Sequence, residues 1–176
     1  LYGTRLTLGL VENKLNEHKI ENAKLNIIEA GKSIKLGCFN TTFIRSNHSI
    51  PDTVALAIET PVGTVLHTGD FKIDYTPING DPIDLNTLAE FGSKGILVAM
   101  SDSTNVERPG YTMSERSVGS KILDIFKDCK NRILVATFAS NIHRIQQVIN
   151  AAVTYNRKVV TSGRSMVNVV RVGKEL

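Results

Sequence analysis

The sequence is poor in the residues that build cross-linked or membrane-embedded proteins. It contains two cysteines, Cys38 and Cys129, which lie far apart along the chain. A thiolate zinc site needs closer pairs, so both cysteines are interpreted as reduced thiols. No apolar run approaches the roughly 20 residues that a membrane-spanning helix needs, and no segment of the sequence resembles a signal peptide. These absences argue against a disulfide framework and against a membrane span within the sequence.

Long runs of lysine and arginine are missing as well. The chain has 21 Lys and Arg against 17 Asp and Glu, so its formal net charge is +4. This balance is compatible with a polyanionic partner but does not identify one, because many basic proteins bind no nucleic acid. With 176 residues, of which 41% are hydrophobic, the chain has the composition of one globular domain or of parts of two. Leu1 is not a methionine and residues 168–176 have the pattern of an interrupted helix, so we expect the chain to be part of a longer protein.

The sequence up to about residue 94 has the pattern of strands joined by short turns. Leucines at helical spacing predict a helix near the start, and two apolar segments on either side of Gly31 predict a hairpin. Further strands follow, and Asp84 is placed to cap a short helix. The predicted segments are a helix at 4–18, a hairpin at 24–29 and 33–36, strands at 38–45, 53–59 and 64–67, and a helix at 84–91.

The pattern changes near residue 95, where apolar runs begin to alternate with helical segments. The predicted buried strands are residues 95–100, 133–138 and 158–161, and the predicted helices are 114–129, 141–155 and a segment that begins near Arg164. Alternation of this kind is typical of a parallel sheet with right-handed crossovers. The sequence therefore predicts an α/β fold, with a domain boundary near residue 110.

His48 and Asp70 are the candidate metal ligands. Each follows a predicted strand within a turn, and imidazole and carboxylate are ligand types that zinc accepts. A lone histidine in a turn is more often a surface or cap residue, and an aspartate after glycine often forms only an Asx turn. The apolar strand before Asp70 favours function, because it places the carboxylate at the edge of a core. His67, within that strand, is interpreted as a packing or hydrogen-bonding residue.

Asp102 is the candidate catalytic carboxylate. It follows the predicted buried strand that ends at Met100, and polar residues at the ends of parallel strands tend to line a cleft. A carboxylate there could orient a histidine and keep it protonated as a general acid. The alternative is that residues 101–105 form only a capped loop.

Two strand-to-helix junctions are candidate RNA-binding sites. At the first, free N–H groups near Asn141 would form an anion site with Arg144, and Phe138 could stack on a base. The alternatives are simple capping by Ser140 or Asn141 and burial of Phe138. His143 is interpreted as a surface residue. The second junction, with Arg164 and Ser165, repeats the arrangement and could hold a second phosphate.

These motifs, in this order, resemble the bacterial ribonuclease J group of the metallo-β-lactamase/β-CASP nucleases. The matching segments are 42–52 and 67–72 for the third and fourth metal motifs, 101–115 for the junction into the β-CASP domain, and 135–146 and 163–166 for the start of that domain. The resemblance covers essentially the whole chain. It implies part of a metallo-β-lactamase αββα sandwich in residues 1–110, followed by the start of a doubly wound parallel β-CASP sheet in residues 111–176.

The resemblance also implies chemistry for the candidate residues. His48 would bind one of two zinc ions, Asp70 would bridge both, and Asp102 would match an acidic residue that pairs with a later histidine. Hydrolysis of a phosphodiester would then be two-metal catalysis, with RNA in the cleft between the two domains. Enzymes of this group degrade RNA 5′ to 3′ from a 5′-monophosphate and also cut internally. They act in mRNA decay and rRNA maturation in the cytoplasm, as dimers or tetramers and without a membrane.

The chain departs from the family pattern in its ligand set. The family's His-x-His-x-Asp-His motif is absent from the sequence, and two groups cannot satisfy four-coordinate zinc. We therefore expect the chain by itself to bind metal weakly or not at all and to lack nuclease activity. RNA cleavage by the chain alone, abolished by Asp70→Ala, would refute that expectation.

Two other functions remain open at this stage. One is a small-molecule hydrolase of the same superfamily, such as a thioesterase or a lactamase, although such an enzyme needs no second domain over its cleft. The other is a metal-free paralogue that binds RNA without cutting it. Activity on RNA compared with activity on a chromogenic lactam would separate the nuclease from the small-molecule hydrolase.

Overall fold

The computed structural model describes residues 1–175. The strands are β1 (Tyr2–Gly3), β2 (Asn26–Ile27), β3 (Ser33–Leu36), β4 (Phe39–Arg45), β5 (Val54–Thr60), β6 (Gly63–His67) and β7 (Val98–Met100). The helices are α1 (Arg5–Glu17), α2 (Leu85–Lys94), α3 (Glu115–Asp128), α4 (Ile142–Thr154) and α5 (Arg164–Glu175). The last residue of the interrupted helix predicted at 168–176, Leu176, lies outside the described residues. The combination of a mixed sheet with helices confirms the α/β fold class.

A five-stranded sheet forms the centre of the first part of the chain. Its strand order is β3-β4-β5-β6-β7, and every neighbouring pair is antiparallel except β6 and β7. Alternation along β4 and β5 turns Ile44, Ala55 and Ala57 toward one face, where Phe91 of α2 packs on them. Asp84 caps α2 by accepting a hydrogen bond from the Thr87 N–H, as the sequence predicts. The helix therefore covers one face of the sheet and closes its core.

The predicted hairpin around Gly31 is wrong. The backbone of this turn pairs with β4, because the Gly31 N–H donates to the Phe43 carbonyl and the Phe43 N–H donates to the Lys32 carbonyl. β2 pairs in parallel with β1 instead, and β3 takes the position beside β4. Both segments flank a turn, but their hydrogen-bonding partners lie elsewhere in the chain.

The second part of the chain is helical. α3 and α4 pack through Phe126, Ala151 and Ala152, all of which are buried. α5 lies against α1, where the Arg171 guanidinium donates to the side-chain oxygen of Asn13. Within residues 1–175, no helix is both long enough and apolar enough to cross a lipid bilayer.

The apolar runs of the second part lie in extended or irregular backbone without strand pairing. Residues 133–138 and 158–161 are not assigned to strands, and Leu134 and Val160 are 90% and 89% exposed. β7 forms, but it is the edge strand of the sheet and its three residues are exposed. The prediction that these three runs are buried strands is therefore wrong for this chain. A lone parallel pair is marginal without further strands beside it, which explains why the pattern alone was insufficient. The domain boundary near residue 110 stays a prediction.

Candidate active site

The sheet brings His48, Asp70 and Asp102 to one edge. β5 is antiparallel to both β4 and β6, and β7 is parallel to β6, so β4, β6 and β7 run in the same direction. Each candidate residue lies within three residues of the end of its strand. We call residues 46–53 the first loop, 68–72 the second loop and 101–105 the third loop. The topology therefore places one candidate residue in each of three neighbouring loops.

Backbone hydrogen bonds join these loops. The Lys72 N–H of the second loop donates to the Asn47 carbonyl of the first loop, with a nitrogen–oxygen distance of 2.7 Å. The Thr68 N–H donates to the Met100 carbonyl at 3.0 Å, and the Asp102 N–H donates to the Thr68 hydroxyl at 3.0 Å. The second loop is thus fixed to both of the others.

The Asp102 carboxylate is held in its ionised form. Its Oδ1 accepts hydrogen bonds from the Thr104 N–H at 2.9 Å and from the Thr104 hydroxyl at 2.8 Å. These two bonds, the first most strongly, lower the pKa of Asp102 below its usual value, and the Phe71 N–H and the charge of His48 add to the effect. The structure thus contains the capped loop, and the cap keeps a negative charge just beyond the end of β7.

His48 and Asp70 present exposed side chains at this edge. His48 Nδ1 lies 3.1 Å from the Ser49 hydroxyl, which fixes one side of the ring. Imidazole and carboxylate suit zinc, but residues 1–175 contain no group of three or more His, Cys, Asp and Glu side chains that could hold an ion. The described residues therefore offer the right donor types and an incomplete donor set for four-coordinate zinc.

His67 serves the turn that precedes Asp70. Its Nδ1 accepts a hydrogen bond from the Gly69 N–H at 3.0 Å, so this ring nitrogen is occupied within the turn. Gly69 has φ of +59°, a left-handed conformation that glycine adopts without steric cost. The structure thus shows the hydrogen-bonding role that the sequence suggested for His67.

The backbone N–H groups at the start of α4 are already used. The Asn141 side chain caps the helix by accepting from the Arg144 N–H at 3.0 Å, and the His143 N–H donates to the Ser49 carbonyl of the first loop. The N–H groups of Asn141 and Ile142 donate to turn carbonyls. The expectation of free N–H groups here is therefore wrong, because the cap and the first loop satisfy them.

The Arg144 side chain also has a partner within the protein. Its Nε and one terminal nitrogen donate to the two carboxylate oxygens of Glu115, at 2.7 Å and 2.8 Å. This bidentate ion pair joins α3 and α4 and occupies the guanidinium edge that would bind a phosphate. His143 is half-buried beside the pair, so its interpretation as a surface residue is wrong. Burial lowers its pKa, although the charge of Glu115 opposes the shift.

The other RNA-binding candidates lie on the surface around the first loop. Phe138 is 83% exposed and Ser140 is exposed, so the alternative that Phe138 is buried does not hold. Arg164 and Ser165 are exposed at the start of α5 and line a shallow pocket with Ile50 of the first loop. The starts of α4 and α5 therefore both lie near the first loop.

Sequence reasoning missed the residues that join this site to α3. Asp74 is buried, and its carboxylate accepts from the N–H groups of Thr76 and Glu115. Burial raises the pKa of Asp74, but hydrogen bonds from Thr76, Ser114 and Glu115 and the charge of Lys72 lower it overall. A cavity of about 600 Å³ lies between this joint and the first loop. Asp74 stands in a stretch rich in turn formers, which gave no signal that its carboxylate is buried.

Comparison with known proteins gives a consistent assignment along the chain. Residues 130–176 match the family described as the beta-CASP domain of ribonuclease J. Ribonuclease J of Synechocystis is 44% identical over 178 residues, which cover 100% of this chain and 28% of that protein. Ribonuclease J of Thermus thermophilus is 45% identical over 179 residues, with coverage of 100% and 31%. Ribonuclease J2 of Bacillus subtilis is 40% identical over 178 residues, with coverage of 100% and 32%.

A solved structure supports the fold independently of sequence. A protein of unknown function from Enterococcus faecalis superposes with a TM-score of 0.63 over 93% of this chain and 46% of its own, at 18% identity. The chain spans between about a quarter and a third of the length of the curated relatives named above. The match over all its residues confirms that this chain resembles a segment of ribonuclease J, and residues 130–176 match the beta-CASP domain of that family.

Proposed function

We propose that this chain is a segment of a metal-dependent ribonuclease that hydrolyses RNA phosphodiesters at the edge formed by the first, second and third loops. The observation that carries the proposal is the convergence of His48, Asp70 and Asp102 at one sheet edge. Hydrogen bonds between the loops fix this arrangement. The similarity to ribonuclease J over the whole chain supports RNA as the substrate.

Zinc is the cofactor that the donor types suit. His48 and Asp70 would hold it, and the remaining donors would come from parts of the protein that the chain does not span. Bound zinc supplies Lewis acidity at the reacting phosphate. Asp102, whose pKa is lowered, stays ionised at neutral pH and would orient a histidine supplied by a part of the protein that the chain does not span.

The surface around the first loop is the proposed RNA contact. The exposed ring of Phe138 offers a stacking face for a base, and Ser140 and Asn141 flank it. Arg164 and Ser165 offer a positive charge and a hydroxyl to a phosphate at the start of α5. Arg144 is left out of this contact surface, because Glu115 occupies its guanidinium.

The finer assignments extend the same proposal. We place the protein among enzymes that act 5′ to 3′ and also cut internally, in mRNA decay and rRNA maturation. We expect it to work in the cytoplasm as a homo-oligomer. These assignments rest on the similarity to ribonuclease J.

The test is RNA hydrolysis by the full protein that carries this sequence. A 5′-monophosphorylated RNA is the substrate, and the variants are Asp70→Asn and His48→Ala. Each should reduce kcat by more than the roughly 10–100-fold that loss of an outer hydrogen-bonding partner costs a metal site. Asp124→Asn, an exposed carboxylate on α3, is the matched control and should leave kcat unchanged.

Three results would contradict the proposal. Full activity of Asp70→Asn would remove the second loop from the chemistry. RNA binding by the wild-type protein without hydrolysis would favour a non-catalytic RNA-binding subunit. Hydrolysis of a chromogenic lactam with no activity on RNA would favour a small-molecule hydrolase.

A further inference from the structure

The hydroxyl of Thr68 lies between the loops that carry Asp70 and Asp102. It donates a hydrogen bond to the Gly69 carbonyl at 2.7 Å and accepts one from the Asp102 N–H at 3.0 Å. The Thr68 N–H donates to the Met100 carbonyl at the end of β7. One residue thus ties the second loop to the third through both its backbone and its side chain.

The hydroxyl of Thr68 makes this pair of contacts at once. It donates with its hydrogen toward the second loop and accepts with a lone pair from the third. Valine has nearly the same shape but neither function, so it would leave the Asp102 N–H without its acceptor. Serine keeps the hydroxyl and loses only a methyl group.

The bond at the Asp102 N–H controls the carboxylate of the same residue. Asp102 is half-buried, and its side chain already accepts from the N–H and the hydroxyl of Thr104. With its backbone held by Thr68, the carboxylate keeps a fixed position relative to the second loop. Without that hold, the third loop must move to find another acceptor, because an unpaired amide is costly away from water.

We propose that Thr68 is a positioning residue, whose hydroxyl sets the spacing of Asp70 and Asp102 in the active site. The inference rests on the proposed function and adds a residue that contacts neither substrate nor metal. It predicts a defect in catalysis without a defect in folding or RNA binding.

Thr60 provides a matched control at the opposite end of the same hairpin. Its hydroxyl donates to the Gly63 carbonyl at 2.7 Å and accepts from the Val62 N–H at 3.2 Å. The two threonines therefore make the same types of hydrogen bond, but Thr60 supports the turn between β5 and β6. Thr60→Val reports what loss of such a hydroxyl costs to stability alone.

The experiment compares Thr68→Val, Thr68→Ser and Thr60→Val in the full protein, with steady-state cleavage of 5′-monophosphorylated RNA and thermal unfolding. Thr68→Val should lower kcat by about 10–100-fold, the range typical of residues that orient a metal ligand, with KM and Tm close to those of Thr60→Val. Thr68→Ser should restore kcat to within a few-fold of wild type. Wild-type kcat in Thr68→Val, or an equal loss in Thr60→Val, would overturn the inference, and so would a Thr68→Ser variant as slow as Thr68→Val.

Amide hydrogen exchange in the same proteins separates this inference from the proposed function. The Asp102 amide should exchange faster in Thr68→Val and at the wild-type rate in Thr68→Ser and Thr60→Val. A wild-type protein inactive on RNA would refute the proposed function. This exchange pattern would then still show that the Thr68 hydroxyl holds the third loop to the second. Unchanged exchange in Thr68→Val would refute the tie whatever the activity.

Discussion

The two parts of this chain contain apolar runs of similar composition, but these runs pair into a sheet in the first part and stay unpaired in the second. In the first part, β4, β5 and β6 follow one another in the sequence, pair as antiparallel strands and bury Ile44, which is 1% exposed. In the second part, the run at 133–138 lies in unpaired backbone and Leu134 is 90% exposed. The two parts differ in how far apart in the sequence the pairing strands lie.

Antiparallel strands carry their partners in the neighbouring sequence, whereas parallel strands depend on distant segments. A hairpin completes its hydrogen bonds within a few residues, but a parallel strand needs a crossover and further strands on either side. The same rule explains β7, which pairs with β6 and leaves its other edge unpaired within the described sheet. Stability should therefore be concentrated in the first part of the chain.

Truncation of a core residue should show the largest effect of this contrast. Ile44→Ala should lower the free energy of unfolding by about 2–5 kcal/mol, because it leaves a cavity among Ala55, Ala57 and Phe91. Val160→Ala, at a position that is 89% exposed, should change it by less than about 0.5 kcal/mol. Chemical denaturation of the 176-residue chain measures both. Equal losses in the two variants would show that residues 158–161 are buried in that chain and would break the comparison.

The second-largest effect should be on RNA binding, which removal of the exposed aromatic ring of Phe138 should weaken. Phe138→Ala should cost about 1–3 kcal/mol of binding free energy for single-stranded RNA, which is the usual cost of one lost base stack. Val153 is also exposed and apolar but lies on α4, so Val153→Ala is the control and should leave the dissociation constant unchanged. A fluorescence anisotropy titration checks both variants. An unchanged Kd for Phe138→Ala would remove this ring from the RNA contact.

The ion pair between Glu115 and Arg144 should couple α3 and α4 by a smaller amount. A double-mutant cycle with Glu115→Ala and Arg144→Ala should give a coupling energy of about 1–2 kcal/mol, because the pair is bidentate and only partly exposed. The stability of the four proteins of the cycle, measured by urea unfolding, gives this energy directly. Additive losses would mean that the pair contributes nothing to holding the helices together.

Asp74 should make stability depend on pH at the joint between the two parts. Its pKa is lowered in the folded protein, so the unfolded state takes up its proton first as the pH falls. The stabilisation is complete above the ordinary aspartate pKa and is lost as the pH falls through the lowered value. Asp74→Asn should therefore flatten the fall in Tm below about pH 4. A variant with the wild-type slope in this range would contradict the assignment.

Sequence pattern predicted the elements whose contacts are local. The apolar alternation along β4 and β5 and the capping role of Asp84 are examples, since strand period and helix cap are written in adjacent residues. The position of residues 24–29 was not predictable in this way, because β2 pairs with β1 through backbone groups that carry no side-chain signal.

The same difference between local and long-range contacts applies to the candidate site. His48, Asp70 and Asp102 follow strand ends, so strand direction alone brings them together. Arg144 was expected at a phosphate, but its partner Glu115 is 29 residues away and no spacing rule connects them. The tie made by Thr68 crosses 34 residues, and only the folded sheet reveals it.

Metal content tests the central claim most directly, namely that the first and second loops together form a zinc site. The full protein, His48→Ala, Asp70→Ala and the control Asp124→Ala would be purified in parallel and measured by elemental analysis. The account predicts zinc in the wild-type and control proteins and its loss from both loop variants. Zinc at the wild-type level in both His48→Ala and Asp70→Ala would show that the metal is held elsewhere and would contradict the account.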